Sequence, residues 1–284
     1  MGNNTRGLLK FIREVAGNSG TALVLGALIL ASFAALPAQA NLVFNGGFSS
    51  CTATTSSGTS SAACPTSNFA ISASATSLAA GGTNYNLANW TIDNPDNLHC
   101  VVVSPYTNDH LCGTGWTGGS ANLQMFALAG ASPDGGNYVL LDGDAGNLYN
   151  ATLSQTVNLT AGQTYSLSFY QTAGQQAANT GASTDYWRVV VGSQTFGSAT
   201  QNQMTVASQS LTTPLWQQVV YTFTATVTGA TTVSFTSMGA TGVPPFLFLD
   251  GVNLVATPEP GAFGLVGLAL LAVPIARRRF AKRA

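Results

Sequence analysis

The chain has 284 residues, a charged fraction of only 7% and a formal net charge of −1. That near-neutrality hides a segregation: eight of the nine basic residues lie in the two ends, while Asn41–Ala256 holds Arg188, no lysine, no glutamate and eight aspartates. A body with a net charge of −7 repels a phosphate backbone, which excludes nucleic acid as a partner and suits an exported protein facing cations or neutral polymers.

Residues 1–40 read as a secretory signal peptide. Arg6, Lys10 and Arg13 form a basic n-region, an apolar run follows from about Thr21 to Leu36, and Pro37 precedes the triplet Ala38-Gln39-Ala40. Signal peptidase is expected to cut after Ala40; an uncleaved anchor helix is the alternative. Residues 41–256 would then be the folded body.

The segment Ser49–Gly82 is rich in Ser, Thr and Ala, and reads as a long loop. The four cysteines, Cys51, Cys64, Cys100 and Cys112, form an even set, which in an exported chain means disulfides with three connectivities open. Sequence-local pairing, Cys51–Cys64 and Cys100–Cys112, is favoured; each would close a short loop worth about 3 kcal/mol in the chain-entropy model. His99 and His110 flank the second pair and would complete a zinc set on paper. The oxidising compartment and the lack of a close C-x-x-C favour a disulfide-closed loop instead. Trp90 in "NLANWTIDN", Tyr106, and Trp116 in "GTGWTGGS" lie in Gly- and Asn-rich surroundings and are the candidates for stacking on a sugar; Trp187 and Trp216 stand in alternating strands and read as core.

"YVLLDGDAGN" places Asp142 and Asp144 two residues apart, on one side of a strand. Three readings stay open for the pair: an Asp-rich turn, a cation site, or the paired carboxylates of a glycosidase. Other enzyme signatures are missing: there is no G-x-S-x-G elbow, no H-E-x-x-H and no Walker loop. From there onward the pattern is period-two. Tyr165, Leu167 and Phe169 alternate with serines, and Val219, Tyr221, Phe223, Ala225 and Val227 form a second stripe. Val233 pairs with Phe235, and Phe246, Phe248, Val252 and Leu254 are expected on one face. Turn residues every eight to twelve positions make this an all-β protein, an antiparallel β-sandwich of about ten strands.

Three stretches, "NLVFNGGF" at 41–48, "LSQTVNLTAGQTYSLSFYQTAG" at 153–174 and "FLFLDGVNLV" at 246–255, resemble the opening, middle and close of galactose-binding-like jelly rolls and related carbohydrate-binding modules. The resemblance implies a jelly-roll sandwich and a structural calcium ion at Asn45, Ser49 and Asp250. Ser49 stands where family members usually carry a carboxylate.

At the C-terminus, residues 257–284 hold Pro258-Glu259-Pro260, an apolar run Ala262–Ala276, then Arg277, Arg278 and Arg279. Fifteen helical residues rise about 22 Å, short of a hydrocarbon core of about 30 Å, and the arginines would stay cytoplasmic. The three-part order resembles the PEP-CTERM sorting signal. That resemblance implies recognition and removal by a membrane-embedded exosortase, transient residence in the inner membrane of a Gram-negative bacterium, and delivery to the cell surface, outer membrane or extracellular matrix. A simple tail anchor is the alternative. The expected function is a non-catalytic surface or matrix protein associated with extracellular polysaccharide. A purely structural surface protein and a secreted glycan or ester hydrolase are the other readings.

Overall fold

The computed structural model describes residues 40–55, 58–65, 69–70, 84–93, 99–102, 110–111, 123–124, 130–143, 152–175, 180–198, 200–208, 214–239 and 245–257. Apart from Ala40 they belong to the compact unit Asn41–Thr257. Ala38, the Pro258-Glu259-Pro260 motif and Arg277, Arg278 and Arg279 lie outside the described residues, as do Tyr106, Cys112, Trp116 and Asp144.

Among the described residues every regular element is a strand. In chain order they are β1 (Cys51–Thr55), β2 (Gly58–Ala62), β3 (Phe69–Ala70), β4 (Asn84–Leu87), β5 (Thr91–Asp93), β6 (His99–Val102), β7 (His110–Leu111) and β8 (Leu123–Gln124). The longer strands follow: β9 (Tyr138–Asp142), β10 (Thr152–Leu159), β11 (Thr164–Gln175), β12 (Ser183–Val191), β13 (Gln194–Phe196) and β14 (Met204–Val206). The last three are β15 (Gln217–Thr224), β16 (Gly229–Met238) and β17 (Pro245–Ala256).

Two antiparallel sheets make a jelly-roll sandwich. One runs β13-β12-β16-β10-β5 with β14 beside β12, and the other β15-β11-β17-β9-β6-β3. Strands β10, β11 and β12 alternate between the sheets, as do β15, β16 and β17, so each sheet buries the apolar stripe of the other. The stripes largely follow the alternation: Tyr165, Leu167, Phe169, Val219, Tyr221, Phe223, Ala225, Val233 and Phe235 all belong to the core, whereas Val227, expected at the end of the second stripe, lies past the end of β15 and is exposed. Phe235 sits at its centre, in edge-to-face contact with Phe169, Trp187 and Trp90.

The Ser49–Gly82 segment departs from the expected loop. β1 and β2 form a hairpin, and β4 pairs with the other edge of β1, making a three-stranded sheet. The Cys51–Cys64 disulfide closes across it, with a Cα–Cα distance of 5.0 Å, inside the normal range. The register sets Thr52 opposite Ser61 and Ala53 opposite Ser60, so the pairing joins mostly small and polar residues, and their low apolar content conceals it in the sequence.

Strand β17 also corrects an expectation. Leu247 and Leu249 join the core together with Val252 and Leu254, whereas Phe246 and Phe248 do not. The register explains the change of phase: Asp250 pairs with Tyr170 and Asn253 with Ser168, so Gly251 and Val252 both face the single residue Phe169. This is a β-bulge, and Gly251 at φ 59° supplies the left-handed residue it needs. Phe246 and Phe248 are thereby turned to the far side of the sheet, where Phe248 stacks on Tyr138 at 5.6 Å.

Candidate functional site

The bulge also decides where Asp250 points. It lies just before the phase change, on the same side as Phe246 and Phe248, and is fully buried. Segment 41–48 closes one side. Leu42 donates its amide to the Leu254 carbonyl and Val252 donates to the Gly46 carbonyl, so this segment runs along the end of β17. Any side chain at Gly46 would collide with the Val252 carbonyl oxygen, which is why the glycine is needed there. A turn at Ser132–Gly135, closed by the Gly135 amide donating to the Ser132 carbonyl, covers the other side. It is anchored by Asn137, whose Nδ2 donates to the Phe48 carbonyl at 3.1 Å.

Two carboxylates meet at this point. A Cβ placed on Gly47 would stand 3.2 Å from Asp134 Oδ2 and 3.9 Å from Asp250 Oδ1. Neither Asp250 oxygen has a hydrogen bond of good geometry. Burial pushes its carboxyl up to about 7; the nearby Ser132 hydroxyl and Gly251 amide offset part of the rise, and the Asp134 charge adds to it. A buried carboxylate with unpartnered oxygens beside a second carboxylate is a place for a hard, oxygen-seeking cation. Among the described residues no cluster of three or more His, Cys, Asp or Glu forms.

Above this pair lies a cleft of about 310 Å³, lined by Asn41, Gly46, Gly47, Asp134, Ser168, Tyr170, Gln218, Gly251, Val252 and Asn253. Tyr170, Gln218, Ser168 and Asn253 come from three adjacent strands in matched register: Tyr170 opposite Gln218, and Ser168 opposite both Val220 and Asn253. The cleft therefore offers one half-buried aromatic ring, three side-chain amides and a hydroxyl, with the Asp134 carboxylate at its rim. That is the equipment for a neutral, polyhydroxylated ligand.

Of the residues singled out in the sequence, only Asp250 belongs to this site. Asn45 is engaged in its own turn instead: its Nδ2 donates to the Ser50 and Ala88 carbonyls, and its Oδ1 accepts the Ser50 amide. Ser49 is exposed on the same turn. Trp90 is not a surface aromatic. It is 7% exposed, packs against Phe48 and Phe235, and donates Nε1 to the Asn45 carbonyl at 2.9 Å. Trp187 is core as expected, but Trp216 is only half-buried, lying edge-on to Tyr138 with Nε1 donated to the Gly130 carbonyl. Asp142 ends β9 and is 2% exposed.

Three residues escaped sequence reading. Tyr170 continues the polar face Ser166, Ser168 of its strand, and an aromatic on that face was the available signal. Gln218 is one of many exposed glutamines. Asp134, in "SPDGGN", reads only as a turn residue, and nothing local ties it to Asp250.

No family model matches the chain, and no curated protein matches it. Solved structures do show likeness. The module TmCBM61, solved in complex with beta-1,4-galactotriose, is 16% identical, with 60% of this chain and 90% of that one aligned at a TM-score of 0.32. The K1 cleaved adhesin domain of Lys-gingipain from Porphyromonas gingivalis W83 is 14% identical over 60% and 92% of the two chains, TM-score 0.34. The CBM22-1 xylan-binding domain from Paenibacillus barcinonensis Xyn10C is 12% identical over 60% and 87%, TM-score 0.32. Scores this low transfer no ligand, and the architecture rests on the strand register itself.

Proposed function

We propose that this chain is an exported, non-catalytic surface or extracellular-matrix protein whose jelly-roll body holds a neutral polysaccharide in the Tyr170 cleft, above a cation bound by Asp250 and Asp134. The observation that carries the reading is the cleft itself: an aromatic ring ringed by Asn41, Gln218, Asn253 and Ser168 in one open groove. The −7 body, with Asp134 at the rim, selects against anionic glycans by like-charge repulsion. The non-catalytic part is supported by burial. Asp142, one of the two carboxylates that the sequence offers as a glycosidase pair, is 2% exposed, and Asp250 beneath the cleft is 0% exposed; Asp144 lies outside the described residues.

Export is supported by the Cys51–Cys64 disulfide. Delivery by signal peptidase at Ala40 and exosortase near Pro258-Glu259-Pro260 follows from the two ends of the sequence. Affinity electrophoresis of the secreted protein through neutral and acidic exopolysaccharides tests the ligand. Retardation by the neutral polymer, lost in Tyr170→Ala, is the expected result; no retardation by any polymer, or retardation unchanged in Tyr170→Ala and Gln218→Ala, overturns it. Release of sugar from the gel would overturn the non-catalytic reading. Intact mass of the protein from cells and medium tests processing: a species from Asn41 to near Pro258 is expected, and a membrane-bound species retaining the tail would replace sorting by anchoring.

A further inference from the structure

The cleft has a carboxylate at its rim, Asp134, but among the described residues its lining holds no Lys, Arg or His. Between Asn41 and Ala256 the sequence has one Lys or Arg, Arg188, and that side chain is exposed on β12, in the other sheet. Processing would make one further cationic group. Asn41, which the expected cut after Ala40 leaves at the terminus, is itself a lining residue of the cleft. The compact unit also starts at Asn41.

Chain ends ordinarily fray unless something ties them down. Here four hydrogen bonds do so. Asn41 donates Nδ2 to the Val252 carbonyl at 3.3 Å, and its Oδ1 accepts the Leu254 amide at 2.9 Å and the Val43 amide at 3.0 Å. The next amide, Leu42, donates to the Leu254 carbonyl at 2.8 Å. Three of the four reach β17, so residue 41 is fixed against the strand that brings Val252 and Asn253 to the cleft. None of the four uses the Asn41 main-chain nitrogen.

Hydrolysis of the Ala40–Asn41 bond changes the chemistry of that nitrogen. One water is consumed: its oxygen stays on the Ala40 carbonyl carbon, which departs with the leader as a carboxylate, and the Asn41 nitrogen takes both protons. A neutral amide with one N–H becomes an α-ammonium with three, charged at neutral pH. We infer that the mature N-terminus is part of the binding site: the α-ammonium of Asn41 donates to a hydroxyl of the neutral polysaccharide, while Asp134 supplies an acceptor carboxylate. The unprocessed chain lacks this contact. This role rests on the cleft reading and on cleavage after Ala40, and it makes removal of the leader a step in assembling the site.

The absence of lysine from Asn41–Ala256 gives a selective test. In the secreted protein carrying Lys282→Arg, which keeps a retained tail from adding a second primary amine, the α-amine is the one primary amine open to acetylation or reductive methylation. Acetylation removes its charge; dimethylation keeps the charge and one N–H. Both reagents act on the folded protein, and intact mass establishes the terminus. The readout is affinity electrophoresis through neutral polysaccharide, with mobility referred to a polymer-free gel. Acetylation should weaken affinity at least about tenfold, the loss that goes with one hydrogen bond to a charged group. Dimethylation should weaken it less. Equal retardation before and after acetylation overturns the role of the terminus and leaves the cleft to be judged by Tyr170→Ala. Equal losses from both reagents overturn it too, since bulk rather than charge would be responsible. Equally strong retardation of a protein whose terminus is not Asn41 also overturns it. If no polymer retards the untreated protein, the cleft reading falls, and this role with it.

Discussion

Strands β11 and β17 form one continuous ladder, yet its two ends carry opposite surfaces. Toward Gln175 and Pro245 both faces are covered: Leu247 and Leu249 point into the sandwich, while Phe246, Phe248, Leu140 and Tyr138 on the other side are also 0% exposed. Toward Ser166 and Asn253 one face stays in the core, and the other, with Ser168, Tyr170, Asn253 and Gln218, forms the open cleft. The boundary is the bulge at Gly251 and Val252. One extra residue changes the phase of β17, turns Asp250 to the end of the covered face, and leaves the polar groups of β11 uncovered beyond it. An open polar cleft on a sheet can thus be created by a register defect, walled by the 41–48 segment and the turn at Asp134.

The covered end should dominate stability. Phe248→Ala removes a fully buried ring stacked on Tyr138 and should cost about 3–5 kcal/mol, read by urea unfolding. A cost below about 1 kcal/mol would mean that this side of the sheet is not a packed layer. Breaking the boundary comes next. Gly251→Ala places a Cβ 2.9 Å from the Tyr170 ring and 3.0 Å from Asp134 Cβ, in a backbone conformation that disfavours L residues. The expected cost is about 1–3 kcal/mol, with loss of both cation and glycan binding. If binding survives, the bulge does not organise the site.

How much of this was legible depends on distance along the chain. The stripes of β11, β15 and β16 could be read because alternation is a local property, and residues two apart share a face. The bulge in β17 could not, since "FLFLDGVNLV" alternates equally well in one phase; only pairing against β11 shows two residues facing Phe169. Trp90 misled for a related reason. Its flanks look like a loop, and they are one, but the chain turns there through Asn89 at φ 65° and drives the indole inward onto Phe48 and Phe235. Asp250 was found through a resemblance in its own strand. Its partner Asp134 lies more than a hundred residues away in a turn of ordinary composition, and no local pattern could join them.

The pH dependence sharpens the comparison from the boundary residue. Asp250 titrates near 7 in the folded protein against an ordinary value of 3.8, so the native state holds the extra proton between those limits. Without metal, stability should therefore be full at or below about pH 4, fall as pH rises toward 7, and level off above. One such proton gives a slope of at most about 1.4 kcal/mol per pH unit. Asp185, pushed up to about 8 chiefly by burial, adds a slope of the same sign that extends one unit further. Asp250→Asn should remove only the part ending near 7, and saturating calcium should reverse the trend by favouring the ionised form. An Asp250→Asn profile identical to wild type would show that this carboxyl is not held neutral by burial.

The smallest expected effect on stability is the one most informative about function. Tyr170 is half-buried on the open face, its register partner Gln218 is exposed, and its ring borders the open cleft. Tyr170→Ala should shift unfolding by no more than about 0.5–1 kcal/mol, within the ordinary range for a surface substitution with some lost packing. The same change should abolish retardation by neutral polysaccharide, because among the described residues the ring is the only aromatic surface lining the cleft. Phe248→Ala provides the contrast, with large destabilisation and binding retained in whatever fraction stays folded. If Tyr170→Ala instead proved as costly as Phe248→Ala, the two ends of the ladder would both be packing surfaces, and the open cleft would have no claim to a ligand.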